Sequence, residues 1–338
     1  MMETILNLKN LTTGYKSKGS SSVVTSNINA ELYRGELVCL IGPNGAGKST
    51  LMRTISGSQK PLAGEVFLDG VDIYSIPPKK LAKNLSVVLT ERVNAGMLSA
   101  YEVIALGRYP HTNWSGKLDT QDHRIIQEAI EMTGAQDLVE RSLSELSDGE
   151  RQKIMIARAF AQEPEIMILD EVTAFLDLPR RVEIMKLLRN MASESKKSIL
   201  LSTHDMDLAL RGSDRIWLLP KDGSLHIGSP EDLVLNGSFE AAFESEGINF
   251  DKQSGSFNIH NEYRKRVALK GDGHNMLWTE RALLRNGISI DPDANVLVTA
   301  ETLVGKHQWS ISSDDHSGSY ESIYELIQEL NLLENQMA

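Results

Sequence analysis

The sequence predicts an α/β protein built on a mostly parallel sheet, with an antiparallel β edge, a helical subdomain and a small C-terminal α+β unit. Short apolar runs alternate with helical patterns between residues 36 and 219, which is typical of parallel strands joined by helices. A glycine-rich turn connects one of these runs directly to a helix. The pattern changes after residue 240, and 338 residues are enough for one large and one smaller domain.

The composition is that of a globular protein and argues against nucleic acid as a partner. The chain has 35 Lys and Arg residues and 46 Asp and Glu residues, so its formal net charge is -11. A surface this acidic is unsuited to neutralising many phosphates. The single cysteine, Cys39, excludes an internal disulfide framework and a multi-thiolate zinc module, and its isolation fits a reducing compartment.

Neither a membrane span nor an export signal is predicted. The chain has no apolar run of about 18 residues, which is the length that a spanning helix requires. Its first residues also lack a basic segment followed by an apolar one.

The elements follow one another in a regular order. Residues 6–15 and the segment from Ser22 to Leu32 show the short β-branched runs of antiparallel edge strands, and residues 64–70 are predicted as a further edge strand. The run from Glu36 to Ile41 predicts a buried strand, and a helix follows at residues 49–57. Residues 98–162 have a helical pattern. Further strands are predicted at 166–169, 198–202 and 215–219, with a helix at 182–195 between the first two.

A polar stretch containing Gly and Ser, at 246–259, predicts a linker. The residues beyond it, 260–338, predict a strand, a helix, two strands and a helix, which is an α+β pattern. Its role is left open between regulation, support of a dimer and a plain structural extension.

The glycine-rich turn is a phosphate-binding motif. The segment from Gly42 to Thr50 satisfies GxxxxGK[ST] and lies between a strand and a helix, where that motif must lie. Its glycines let successive backbone N–H groups point at one phosphate, while Lys48 supplies a charge for the β- and γ-phosphates and Ser49 a hydroxyl for Mg²⁺. The alternative is a glycine-rich turn with a surface lysine.

Two further segments carry candidate chemistry. The apolar run at 166–169 ends in Asp170, a candidate magnesium ligand, and Glu171, a candidate general base, although strand ends with acids are also common as solvated termini. Ser147 and Glu150 predict a capping box at the start of a helix. That helix start, where Gly149 has no side chain, is either an ordinary capped terminus or a second anion site.

Taken together, these motifs resemble those of the ATP-binding-cassette (ABC) ATPases over residues 3–240. The resemblance rests on five motifs in the family's order: Gly42–Thr50, Leu146–Glu150, Asp170–Glu171, Ala174–Asp177 and Ser202–Asp205. It implies an ABC-type P-loop NTPase cassette at residues 1–245, with its helical subdomain at 91–163. It also implies ATP and Mg²⁺ as cofactors.

The resemblance assigns a role to each matching residue. Glu171, His204 and Lys48 match the catalytic positions, with His204 as the switch histidine at the γ-phosphate. Tyr15 is similar to the aromatic residue that stacks on adenine, although it also fits an ordinary strand position. The remaining nucleotide contacts are implied at Asn44, Gly45, Gly47, Lys48, Ser49, Thr50, Ser147, Gly149 and Asp177.

A second subunit is also implied. In this family the signature helix does not reach the nucleotide of its own subunit, so Ser147 and Gly149 are expected to complete the site of a partner copy. Asp177 matches the aspartate that communicates across that homodimer.

Three positions depart from the family pattern. Thr90 stands where a magnesium-coordinating Gln is usual, which makes it a third candidate magnesium ligand, but threonine is shorter and cannot reach so far. A water could bridge instead, or Glu91 could substitute, so slower or differently coupled turnover is expected; an unchanged ATPase rate and Mg²⁺ dependence in Thr90→Gln would exclude this. In the signature, Asp148 stands at a position where glycine is the commonest residue, and its side chain is expected to turn outward. Val172 replaces the proline that usually follows the catalytic glutamate, which is read as a tolerated change.

Segments 101–111, 173–185 and 202–219 resemble the cassettes of bacterial importers for iron-siderophore complexes, haem and cobalamin. The resemblance implies a permease in the membrane as partner, a substrate-binding protein indirectly, and a location on the inner face of the cell membrane. Three alternatives remain at this stage: a soluble ABC protein acting on DNA or the ribosome, a nucleotide sensor that hardly hydrolyses ATP, and an exporter subunit.

Overall fold

The computed structural model describes residues 3–17, 20–89, 97–174, 176–244, 248–251, 256–259, 263–303, 306–314 and 316–335. The chain divides into two compact units, Met1–Glu246 with Phe250–Ser256, and Gly247–Asn249 with Phe257–Ala338. No helix of the described residues is long and apolar enough to cross a bilayer.

The first unit alternates strands and helices as the sequence predicts. Its elements are β1 (Thr4–Ser17), β2 (Ser20–Tyr33), β3 (Leu37–Ile41), α1 (Lys48–Ile55), β4 (Ala63–Leu68), β5 (Val71–Asp72), α2 (Pro78–Asn84), β6 (Leu85–Val88), α3 (Ala100–Ala105), α4 (Thr120–Thr133), α5 (Asp148–Ala161), β7 (Ile166–Asp170), α6 (Leu178–Ser193), β8 (Ser198–Ser202), α7 (Met206–Gly212), β9 (Arg215–Leu218), β10 (His226–Gly228), α8 (Pro230–Leu235) and α9 (Ser238–Glu244).

The main sheet has six strands in the order β10-β9-β3-β8-β7-β6. Five of them are parallel, and β10 pairs antiparallel with β9 at one edge. All five residues of β3 are buried, because a central parallel strand is covered on both faces. The carboxyl ends of β3, β7 and β8 therefore meet at one edge of the sheet, where ligands bind in this class of fold.

A second sheet forms the antiparallel edge, in the order β2-β1-β4-β5. Its apolar residues share one core cluster with the main sheet and with α1. The buried face of α1, which includes Leu51 and Ile55, lies in that cluster together with Leu8 from β1 and Leu40 from β3. This packing holds the start of α1 firmly next to the end of β3.

The segment predicted as a linker contains two short strands, β11 (Ile248–Asp251) and β12 (Ser256–Ile259), which pair as a two-stranded sheet. Phe250 is buried and stacks on Phe239 of α9, with 5.5 Å between the ring centroids. Aromatic burial thus orders part of a segment whose polar, glycine-containing composition predicts none.

The second unit combines a five-stranded sheet with two described helices in an α+β arrangement. Its elements are β13 (Lys265–Gly271), α10 (Gly273–Arg285), β14 (Ile288–Ile290), β15 (Leu297–Leu303), β16 (Lys306–Ser312), β17 (Ser317–Tyr320) and α11 (Ile323–Asn335). The sheet order is β14-β13-β15-β16-β17. The two helices contribute to one core, in which Leu283 of α10 and Leu326 of α11 join Val298 and Ile311 of the sheet. Trp309 is anchored there by a 2.7 Å hydrogen bond from Nε1 to Oγ1 of Thr279.

Candidate nucleotide-binding and catalytic site

The predicted phosphate loop connects β3 to α1. Gly47 has φ = 103°, and a Cβ at this position would lie 2.4 Å from Cγ1 of Val24. Any other residue would therefore need both an unfavourable backbone conformation and a shift of the Val24 side chain. No described side chain caps the start of α1, and its first turn holds no acidic residue. The first N–H groups of this helix are therefore suited to an anion.

Lys48 lies inside this loop and is only 6% exposed. Its Nζ donates to the carbonyl oxygens of Gly42, at 2.7 Å, and Pro43, at 3.1 Å. The loop carbonyls thus keep the ammonium group beside the backbone that a phosphate would approach. Asn44, Gly45 and Ser49 are exposed on the same turn.

Tyr15 of β1 contacts Thr50 of α1. Thr50 is buried on α1, and its Oγ1 lies 3.0 Å from the hydroxyl oxygen of Tyr15. Tyr15 is 50% exposed on β1, so its hydroxyl is fixed while its ring keeps an accessible surface. This placement suits the stacking role that the resemblance implies and leaves that role a prediction.

Asp170 ends β7 beside the end of β8. The register pairs Asp170 with Ser202, and Oγ of Ser202 donates to Oδ1 of Asp170 at 2.6 Å. Ser202 is fully buried. A buried hydroxyl therefore orients one oxygen of the carboxylate that the sequence predicts as a magnesium ligand.

Glu171 and His204 form the most direct contact among the predicted catalytic residues. Nε2 of His204 and Oε1 of Glu171 are 2.7 Å apart, and both side chains are partly exposed. Glu171 has φ = 51°, a left-handed conformation that is uncommon for a residue other than glycine. Its backbone N–H donates to the carbonyl of Ser202 at 3.0 Å. Such strained positions cluster at active sites.

The signature segment starts α5 in the part of the chain between β6 and β7. The predicted capping box is confirmed: the Ser147 side chain accepts from the N–H of Glu150, whose carboxylate accepts from the N–H of Ser147 at 2.8 Å. The pKa of Glu150 is lowered mainly by this backbone hydrogen bond, with help from the Ser147 hydroxyl. Asp148 is exposed and pairs with Arg151, at 3.6 Å.

Asp177 caps α6, where its side chain accepts from the N–H of Arg180 at 3.2 Å. A Cβ on Gly149 would lie 3.4 Å from Cγ of Arg180, so the starts of α5 and α6 are neighbours. The structure therefore places Ser147, Gly149 and Asp177 on one surface.

Val172 is buried, at 2% exposure.

Thr90, Glu91 and Phe175 lie outside the described residues, and the prediction about Thr90 remains as it stood.

Sequence reasoning missed one ion cluster beside this surface. Glu183 on α6 accepts from Lys153 of α5 at 2.7 Å and from Arg180 at 2.8 Å. The pKa of Glu183 is lowered, first by the bond from Lys153 and then by the bond from Arg180. Only the Arg180–Glu183 spacing of three residues on one helix is a local signal; the contact to Lys153 needs the fold.

An α/β sheet with a phosphate loop at the end of one strand and adjacent acids at the ends of others defines a P-loop nucleotide hydrolase. Matches to models of known protein families identify the family. Residues 25–174 match the ABC transporter model and residues 264–331 match the iron ABC transporter C-terminal domain.

Known relatives match over two thirds or more of the chain's length in one case and about two thirds in another. An uncharacterized ABC transporter ATP-binding protein of Methanocaldococcus jannaschii is 42% identical over 83% of this chain and 97% of its own length. The iron(3+)-hydroxamate import ATP-binding protein of Bacillus subtilis is 34% identical over 66% of this chain and 82% of its own length. The chain therefore belongs to the ABC transporter ATP-binding proteins, and it is an ATPase.

A solved structure agrees with the fold. The dimeric post-hydrolysis state of an ATP-binding cassette with ADP and phosphate has a TM-score of 0.58 and 28% identity, and the match covers 67% of this chain and 99% of that one. The predicted family and fold class are both confirmed. Cassettes of this family work as dimers with membrane permeases.

Proposed function

We propose that this chain is the ATPase subunit of an importer for iron chelates, with iron-siderophore complexes as the favoured cargo and haem or cobalamin as related ones. The observation that carries the proposal is the order of the two family matches, an ABC transporter segment followed by an iron ABC transporter C-terminal domain. The name of the Bacillus relative, an iron(3+)-hydroxamate import protein, supports the same cargo class.

Glu171 acts as the general base in this proposal. A carboxylate that polarises water has to be near the γ-phosphate and correctly oriented. The 2.7 Å contact with His204 and the left-handed backbone at Glu171 both restrict its orientation. Lys48 neutralises charge on the β- and γ-phosphates, and His204 braces the γ-phosphate.

Ser49 and Asp170 hold Mg²⁺ in this proposal. Hydroxyl and carboxylate oxygens are the donors that Mg²⁺ prefers, and the ion usually keeps waters and substrate phosphate oxygens as its other ligands. The bound ion would neutralise charge that develops on the phosphates.

Two copies complete each other's sites. Ser147 and Gly149 contact the nucleotide of the partner copy, and Asp177 communicates across the interface. Their neighbouring positions at the starts of α5 and α6 support a single shared contact surface. ATP then holds the homodimer together, and hydrolysis releases it. A permease in the cell membrane, served by a substrate-binding protein, receives this motion at the inner face.

Uptake by the source cell tests the cargo. We expect deletion of the gene to abolish uptake of ⁵⁵Fe-labelled ferric hydroxamate, and the wild-type chain to restore it. Lys48→Ala should fail to restore uptake. Glu128→Gln, which breaks only an exposed ion pair with Arg124 within α4, should restore it fully. Labelled haem and cobalamin serve as comparison cargoes. Undiminished uptake of ferric hydroxamate in the deletion strain, together with loss of uptake of another cargo, would contradict the proposed cargo. It would not contradict the conclusion that the chain is an ATPase.

A further inference from the structure

Arg181 lies near the start of α6, between two segments with proposed functions. The interface segment, Leu176 and Asp177, leads into α6 and includes the aspartate proposed to face the partner copy. The histidine segment, Thr203–Asp205, connects β8 to α7 and carries His204. None of the five motifs that identify the family includes Arg181 itself.

The guanidinium of Arg181 contacts both segments at once. Its Nε donates to the carbonyl oxygen of Leu176 at 2.7 Å, and its Nη1 donates to Oδ2 of Asp205 at 3.2 Å. Leu176 directly precedes Asp177, and Asp205 directly follows His204. Arginine suits this position because its planar guanidinium presents several donors in fixed directions. One side chain therefore joins the backbone of the interface segment to the residue next to the switch histidine.

Both acceptors of these hydrogen bonds are held by further contacts. The Leu176 side chain is buried. Oδ1 of Asp205 accepts from the N–H of Leu208 at 3.1 Å and so caps α7, and the backbone N–H of Asp205 donates to Oγ1 of Thr203 at 3.0 Å. Because neither acceptor is free to rotate away, Arg181 restricts how far the two segments can move relative to each other.

A buried contact joins the histidine segment to the residues that follow the general base. The hydroxyl oxygens of Thr173 and Thr203 are 3.2 Å apart, and both side chains are buried. Thr173 comes two residues after Glu171, and Thr203 comes directly before His204. The histidine segment is thus held on one side by this hydroxyl pair and on the other by Arg181.

We propose that Arg181 is a positioning residue that transmits contact with the partner copy from the interface segment to His204, so that assembly favours the correct placement of His204 at the γ-phosphate. The inference rests on the roles proposed above for Asp177 and His204. An ordinary surface ion pair requires only one charged contact and stabilises a protein little. Arg181 instead donates in two directions, to a backbone carbonyl and to a carboxylate on different segments.

Steady-state ATPase kinetics of the full-length chain test this link. Arg181→Met keeps the length of the side chain and removes its donors. We expect kcat to fall about tenfold, because a misplaced catalytic group slows the chemical step, while the KM for ATP changes less than about twofold. Arg189→Met is the matched control, since Arg189 also lies on α6 and donates to the carbonyl of Gly212 at the far end of α7, at 3.0 Å. It should keep the wild-type kcat.

Asp205→Asn breaks the other end of the link. The amide oxygen can still cap α7, but an NH₂ group replaces the oxygen that accepts from Arg181. We expect a similar fall in kcat, and no further fall when Asp205→Asn is combined with Arg181→Met, because either change alone breaks the link. Thermal unfolding of each variant verifies its fold.

Light scattering with ATP and Mg²⁺ separates this inference from the proposed function. In the Glu171→Gln background, Arg181→Met should still give a particle of two chain masses, because the link acts after assembly. A Glu171→Gln protein that itself stays at one chain mass would contradict the proposed dimer and the transmission with it.

Four results would overturn the role of Arg181 and leave the proposed dimer intact. These are an unchanged kcat in Arg181→Met, an equal loss of kcat in Arg189→Met, effects of Arg181→Met and Asp205→Asn that multiply, and loss of the two-chain particle only when Arg181→Met is added to Glu171→Gln. The last result would make Arg181 a support of the interface and not a link to His204.

Discussion

At the scale of single residues, the candidate catalytic centre depends on groups that hold other groups in place. Glu171 is oriented by His204 and by its own left-handed backbone, and Asp170 is oriented by the buried hydroxyl of Ser202. Lys48 is held beside the loop carbonyls. Oriented ligands and bases need little reorganisation when a substrate arrives, which is a main source of catalytic efficiency.

Ser202→Ala tests the orientation of Asp170. Loss of one hydrogen bond costs about 1 kcal/mol and leaves the carboxylate free to rotate, so the Mg²⁺ concentration for half-maximal ATPase activity should rise several-fold. Ser198→Ala is a matched control, because Ser198 is also buried on β8 and makes a hydrogen bond at the strand's other end. The two variants should lose similar stability. An Mg²⁺ dependence that is the same in both would contradict an orienting role for Ser202.

At the scale of elements, polar contacts join helices that the sequence alone cannot pair. Arg108, only 3% exposed, donates to Asp122 at the start of α4 and to the carbonyl of Ala161 at the end of α5, both at 2.8 Å. Glu183 joins α6 to α5 through Lys153. These contacts connect separate helices and restrict how the helices lie against one another.

Glu183→Gln tests the connection between α5 and α6. The variant removes the charge that Lys153 and Arg180 share, so the surface with Ser147, Gly149 and Asp177 should lose its geometry. We expect a several-fold higher protein concentration for half-maximal ATPase activity, as assembly of two copies weakens. Glu128→Gln, which breaks an exposed pair within α4, should leave this concentration unchanged. Equal values for the two variants would show that the cluster does not position the surface.

Asp122→Asn should change how stability depends on pH. Burial raises the pKa of Asp122, but the N–H of Asp119 and the guanidinium of Arg108 favour the carboxylate and lower the pKa overall. A carboxyl whose folded pKa is depressed contributes stability above its unfolded pKa, about 3.9, and loses it as the pH falls through the folded value.

Urea unfolding between pH 3 and pH 7 measures this contribution. The variant should be about 3 kcal/mol less stable near neutral pH, because Arg108 loses a buried partner, and the difference should shrink below about pH 4. Asp207→Asn, in an exposed pair with Arg211, is the control and should show little difference at any pH. A difference that stays constant down to pH 3 would show that Asp122 does not titrate as described.

The elements that could be predicted from the sequence are those with strong local signals. β3, β7, β8 and β9 are nearly continuous apolar runs, and the capping box of α5 is visible as Ser147 and Glu150. Short strands such as β10 and β14 were not predicted, because three residues carry no periodic pattern. The 2.7 Å contact of Glu171 with His204 needs the parallel register of β7 and β8, which the chain does not encode locally.

At the scale of the whole molecule, an ABC cassette is followed by a separate α+β unit that matches an iron ABC transporter C-terminal domain. The family could be identified from the order of its motifs, because the phosphate loop lies between a strand and a helix and the acidic pair ends an apolar strand.

The central claim is that two copies of this chain enclose ATP between them. Light scattering of Glu171→Gln with ATP and Mg²⁺ tests it most directly, since loss of the general base should preserve the ATP-bound state. The account predicts a particle of about twice the 37.5 kDa chain mass with ATP and the chain mass with ADP. Lys48→Ala in the same background should remain at the chain mass in both. A particle of one chain mass for Glu171→Gln with saturating ATP and Mg²⁺ would contradict the account.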